Sequence, residues 1–170
     1  MSVANNFEQH TNMIANLLLL FEEIAEQQAF NLQKFAKLAN PSLLWRELPF
    51  LIECMGQTRA IGVGITVEGS CSKLEKLKLS ALVKNIAQLS RVVFTHLRSH
   101  GDQSSKQQKL LQLASESCAQ LNHTVQRQLI DAKQINLDTQ SYFALASQAM
   151  EMSNCVLDYE MEQLAKALEP

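Results

Sequence analysis

The chain has 170 residues (19.1 kDa), of which 46% are hydrophobic and 19% charged, and its net charge is −2. That is room for one domain, spanning residues 1–170, with a sizeable core; it argues against both a disordered and a membrane-embedded chain. Only 5 glycines and 3 prolines occur, where average usage would give about 12 and 8, so turn-rich sandwiches, barrels and doubly wound sheets are disfavoured. What remains is an all-α bundle of long helices with few connections.

Apolar residues at three- and four-residue steps (Phe7, Ile14, Leu17, Phe21, Ile24, Phe35, Leu38) predict a first helix from about Ala4 to Ala39. Asn40-Pro41 stops it, because the residue before proline is pushed out of the helical region. Ser42 is a candidate cap for a second segment with Leu44, Leu48, Ile52 and Met55 on one side, and Pro49 inside it predicts a kink.

Residues 56–69 hold four of the five glycines and the β-branched run Val63, Ile65, Thr66, Val67. A strand there would have no partner for its backbone, so a closely packed helix that unwinds before Ser70 is expected. Ser72-Lys73-Leu74-Glu75 has the capping-box spacing. A heptad seam follows through Leu79, Leu82, Ile86, Leu89, Val93, His96 and His100, and Gly101 ends the helix.

A fourth helix is expected from near Asp102 or Ser105 to about Ile135, burying Leu110, Ala114, Cys118, Leu121, Val125 and Ala132. A fifth begins near Asp138, a good cap, and carries two adjacent apolar stripes. One runs Tyr142, Leu145, Ala149, Met152, Val156, Tyr159; the other runs Phe143, Ala146, Met150, Leu157, Met161, Leu164. So wide an apolar face suits a central helix or one shared with a second subunit. The expected architecture is an elongated, antiparallel up-and-down bundle of four to five long helices, with the second segment kinked.

Charge is distributed in blocks. Residues 1–33 carry four acids and no Lys or Arg; residues 73–133 carry ten bases against four acids; residues 134–170 carry one base against six acids. Such blocks attract one another across helices or between subunits, or let the middle of the chain bind anions. Within the basic block, Lys84, Arg91 and Arg98 are spaced by seven and form a stripe along one helix, a candidate interaction surface. No aromatic residue interleaves with it and no overall basic bias exists, so nucleic acid is not an expected partner.

The four cysteines form no C-x-x-C pair, which fits reduced thiols in a cytoplasmic protein. Leu17 to Phe21 is too short for a membrane span, and the first basic residue, Lys34, comes too late for a secretory signal.

His96 and His100, four apart on one helix face, are candidate metal ligands. No Glu-x-x-His pair accompanies them, so no metal or other cofactor is assigned. The glycines at 62, 64 and 69 lack the dinucleotide spacing and the phosphate-loop lysine, and no nucleophile elbow is present.

Thr95-His96-Leu97-Arg98-Ser99-His100-Gly101 resembles the region around the phosphorylated histidine of histidine phosphotransfer domains. The resemblance implies phosphoryl acceptance at His96, although Leu97-Arg98-Ser99 stands where that family has small residues and Lys-Gly. Phe21 to Met55, with Asn31-Leu32-Gln33 and the break at Asn40-Pro41, is similar to granule-associated phasins, small helical proteins that coat polyester granules and self-associate. That similarity implies binding to apolar surfaces, through Leu43, Leu44, Trp45 and Phe50. The residues themselves favour a non-enzymatic interaction protein whose partner is another protein or a second copy of itself, most simply a homodimer.

Overall fold

A computed structural model describes residues 3–31, 42–101 and 103–168, with side chains over 9–27, 42–101 and 103–166. Among the described residues there are five α-helices and no strand: α1 Val3–Asn31, α2 Leu48–Glu68, α3 Lys73–His100, α4 Ser105–Val125 and α5 Thr139–Leu168. A π-helical turn, Leu43–Glu47, leads into α2, and another, Gln126–Ile130, follows α4. The chain is therefore an all-α helical bundle. No helix among the described residues is long and apolar enough to cross a membrane.

Helices α2 to α5 form a ring in which each packs on its sequence neighbours and α2 closes against α5. Leu48, Leu51, Met55, Ile65, Leu79, Ile86, Leu111, Leu121 and Tyr142 are fully enclosed at its centre. Opposed pairs show how α2 and α5 lie together: Met55 meets Ser153, Arg59 donates to Ser147 at 3.0 Å, and Thr58 receives Tyr142. Numbers rise along one helix as they fall along the other, so the two run antiparallel. α1 lies outside this ring, resting on the Leu43–Glu47 turn and the start of α2.

Residues 56–69 are helical through Glu68, as the lack of a partner strand requires, and each glycine there has its own reason. A Cβ on Gly62 would overlap the Tyr142 ring, whereas Gly64 has no neighbour to meet. Gly69 ends α2 in the left-handed conformation (φ 67°), which glycine adopts without a Cβ penalty. Tyr142 is buried with its hydroxyl donating to the Thr58 carbonyl at 2.7 Å, and Thr58 donates to the Cys54 carbonyl at 2.7 Å. These buried polar groups are thus satisfied where they sit.

Ser72 and Glu75 form the expected capping box, the Glu75 carboxylate accepting from the Ser72 amide at 2.7 Å. Other termini differ from the sequence expectation. Ser42, just before the π turn, lies in helical conformation and its side chain makes no capping bond. The fourth helix does not reach Ile135: α4 passes into the π turn, Asp131 donates back to the Gln126 carbonyl, and residues 131–138 form the connection. Ile135 and Leu137 nonetheless pack against the core, which explains why the apolar periodicity runs past the helix. Gly101 caps α3 in an extended conformation, so its small size, not a left-handed turn, is what the position uses. The expected continuation of the first helix to Ala39 and its stop at Asn40-Pro41 lie outside the described residues.

Asp138 caps α5 by accepting from the Ser141 amide at 2.8 Å, and that bond lowers its carboxyl pKa from the ordinary 3.8. A carboxyl held below its unfolded value stabilises the fold above that value, and the contribution is lost as pH falls through the lowered one. Asp138→Ala should therefore melt below the wild type at pH 7, with the gap closing on acidification below about pH 4. Asp138→Asn, which keeps the acceptor, should retain the pH 7 melting point; thermal unfolding at several pH values checks both.

Candidate functional site

Two surfaces stand out. The first is a cleft of about 280 Å³ between α3 and α4. α3 supplies Ser90, Arg91, Thr95 and Arg98, and α4 supplies Ser115 and Asn122, with Phe94, Ala87 and Ala119 between them. The ring makes this cleft because Phe94 turns into the core while residues at 87, 91 and 98 follow the flank of the same helix, and Ser115, Ala119 and Asn122 run beside the buried stripe of α4.

Arg98 reaches the Leu111 carbonyl at 3.4 Å, and Arg91 makes no hydrogen bond or ion pair with any described residue. Asn122 Oδ1 is buried and has no hydrogen-bond partner among the described residues. No acidic side chain lines the cleft. Two arginines, two serines and a threonine thus line one small space with no acidic residue among its walls, and the Ser90 hydroxyl already donates to the Ala87 carbonyl at 3.4 Å.

The second surface is α1. Its half-buried face, with Leu18, Glu22 and Ala25, rests on the body; Glu22 pairs with Arg46 at 3.1 Å, and a groove of about 700 Å³ runs beneath it past Phe50, Leu89 and Val92. On the side turned away, Met13, Leu17, Leu20 and Ile24 are each at least half exposed (50–57%). At 3.6 residues per turn these four fall within about 60° of one another, and their 4-3-4 spacing is that of a coiled-coil seam.

The remaining sequence candidates separate from one another. Lys84 is exposed on α3 but does not line the cleft, so only Arg91 and Arg98 of the basic stripe converge. Trp45 is buried with Leu44 and Leu164 in a small cluster that also receives Ala25 of α1. Leu43 and Leu44 are buried too, leaving Phe50 as the exposed member of the set implied for apolar surfaces.

His96 and His100 stack face to face at the end of α3, centroids 4.4 Å apart, and His100 Nδ1 lies 3.2 Å from the His96 carbonyl. Burial and the neighbouring His100 push His96 below its ordinary 6.5, which favours the neutral ring. Among the described residues no cluster of three or more His, Cys, Asp or Glu side chains suited to a metal ion forms around them or elsewhere.

The four thiols are free; burial pushes Cys54 and Cys118 up to about 11, so both remain protonated and unreactive at neutral pH.

Ser90, Thr95, Ser115 and Asn122 did not emerge from the sequence. The one local signal for the last two is a small, polar 115–119–122 line adjoining the apolar stripe, and only packing of α4 on α3 aims it at the arginines. Neither family models, curated proteins nor solved structures yield a match to this chain.

Proposed function

We propose that this chain is a non-enzymatic helical interaction protein that pairs with a second copy of itself through α1. The observation that carries the reading is the exposed seam Met13, Leu17, Leu20, Ile24. With Phe21 these residues leave roughly 500 Å² of apolar surface bare, near the upper end for a monomer's largest patch and a large part of the ~800 Å² each partner gives to a standard interface. A seam of heptad spacing is self-complementary, so a second copy satisfies it by two-fold symmetry. No charged side chain occurs from Thr11 to Phe21, so over Met13, Leu17 and Leu20 two such seams meet without like-charge repulsion. A reducing, cytoplasmic setting suits the free thiols.

Light scattering after size exclusion at tens of micromolar tests the pairing, with a dimer expected. Leu17→Glu/Leu20→Glu should weaken self-association at least ~100-fold, since each buried leucine is worth about 1.5–3 kcal/mol and a buried charge costs more. Both side chains are exposed in the single chain, so helicity and melting of the monomer should be retained. A strict monomer at that concentration overturns the reading. If such a monomer partitioned onto apolar droplets through α1, the surface-coating alternative would replace it.

A further inference from the structure

We infer that the second copy lies antiparallel on α1, with Met13 of one chain against Ile24 of the other and Leu17 against Leu20. The inference rests on the pairing proposed above and adds its direction and register. Read as heptads, the seam places Leu17 and Ile24 at one kind of core position and Met13 and Leu20 at the other. Head to head, like positions meet; head to tail, unlike positions meet, and the two-fold axis crosses the pair between the levels of Leu18 and Leu19. The four seam residues close in either direction.

Their flanks do not. At 3.6 residues per turn, Ile14 and Phe21 lie about 70–90° to one side of the seam, and Asn16 and Glu23 lie about as far to the other. Ile14 is half-buried, while Phe21, Asn16 and Glu23 are exposed. An antiparallel two-fold brings each flank against its own kind. Phe21 then covers Ile14 of the second copy, and the Glu23 carboxylate is placed to accept from the Asn16 amide of the second copy. A parallel two-fold brings opposite flanks together, so the Phe21 ring lies against Asn16, whose amide loses water without gaining a partner.

Charge favours the same direction. Glu22, Glu23 and Glu26 all sit in the second half of α1, and α1 carries no Lys or Arg to offset them. Parallel helices would set the two acidic clusters level with each other. Antiparallel helices separate Glu23 of one copy from Glu23 of the other by about 14 Å along the axis, beyond the screening length of ~8 Å at physiological salt.

Disulfide formation in the full chain tests the inference, in a Cys71→Ser/Cys155→Ser background whose remaining native thiols, Cys54 and Cys118, are buried. Light scattering before oxidation reports separately whether the chains pair. Met13→Cys and Ile24→Cys, equilibrated together and then oxidised, should give a linked dimer containing one chain of each. Either variant alone should give none: like positions lie about 16 Å apart along the helices, and cysteines with Cα atoms more than about 7 Å apart are not bridged. Linked dimers from either variant alone would mean parallel pairing, which overturns the inference and leaves the pairing itself intact. A dimer by light scattering that links neither alone nor in the mixture also overturns it, since pairing then uses another register or surface. A strict monomer removes the pairing and the inference with it.

Discussion

Gly62→Ala should lower the stability of the bundle by about 3 kcal/mol, at the upper end for an overpacked core. The added methyl would fall inside van der Waals contact of Tyr142 Oη, Cε1 and Cζ. The ring cannot swing aside cheaply. It is fully buried, and its hydroxyl donates to the Thr58 carbonyl one turn earlier on the same helix that carries the glycine. Relief therefore requires α2 and α5 to separate, which loosens the contacts of Met55 and Ser153 further along the pair. Gly64→Ala is the internal control: two residues away, nothing lies within 4 Å of the new methyl. There alanine's helix preference should act alone and raise stability by about 0.5–1 kcal/mol. Urea unfolding of the two variants, with m unchanged, should displace the midpoint in opposite directions. Equal shifts would mean that α2 does not approach Tyr142 as closely as described.

Gln107→Leu should cost about 2–3 kcal/mol, because it takes a hydrogen bond away from the buried carboxyl group of Glu160. Gln107 Nε2 donates to Glu160 Oε1 at 2.6 Å, and its Oε1 accepts from the Gln103 amide at 3.2 Å. Both side chains are buried, at 1% and 5% exposure. Alongside, Ser104 Oγ lies 2.8 Å from Tyr159 Oη and accepts from the Gln107 amide at 3.1 Å, so one polar knot ties the α3–α4 connection to α5. The same knot explains Gly101, whose Cβ would overlap the Gln107 amide. In Gln107→Leu/Glu160→Leu the buried carboxyl is gone with its donor, and the loss should be smaller than for Gln107→Leu alone. A double-mutant cycle by chemical denaturation measures the difference. Additive losses would show that the two side chains do not act as a pair.

Helix identity was largely legible from the residues. The capping box at Ser72–Glu75, the Asp138 cap, the seam through Leu79, Ile86 and Val93 and the helical character of residues 56–69 all follow from local rules, and the structure carries each of them. The same rules misplaced the end of the fourth helix, because Ile135 and Leu137 are apolar for packing against the core and not for helical continuity. Gly101 ends the third helix as expected, but in an extended conformation. Local spacing does not distinguish a glycine needed for its backbone from one needed because a glutamine lies against it.

The candidate surfaces were less legible, for one reason. Periodicity says that a stripe is apolar, but whether the stripe is covered depends on what folds back onto it. In the first helix Leu17, Phe21 and Ile24 belong to the apolar periodicity yet are exposed; in the second segment Trp45, implied for binding apolar surfaces, is buried. Of the basic stripe, Arg91 and Arg98 gain Asn122 and Ser115 from a helix about 20–30 residues away, while Lys84, equally spaced, gains nothing. The residues alone thus specify an all-helical chain with well-marked starts and stops, because capping and periodicity act within a few residues. Which apolar face remains for a partner, and which polar groups converge on one cleft, is settled only when α2 to α5 close their ring, since burial and convergence belong to contacts between helices.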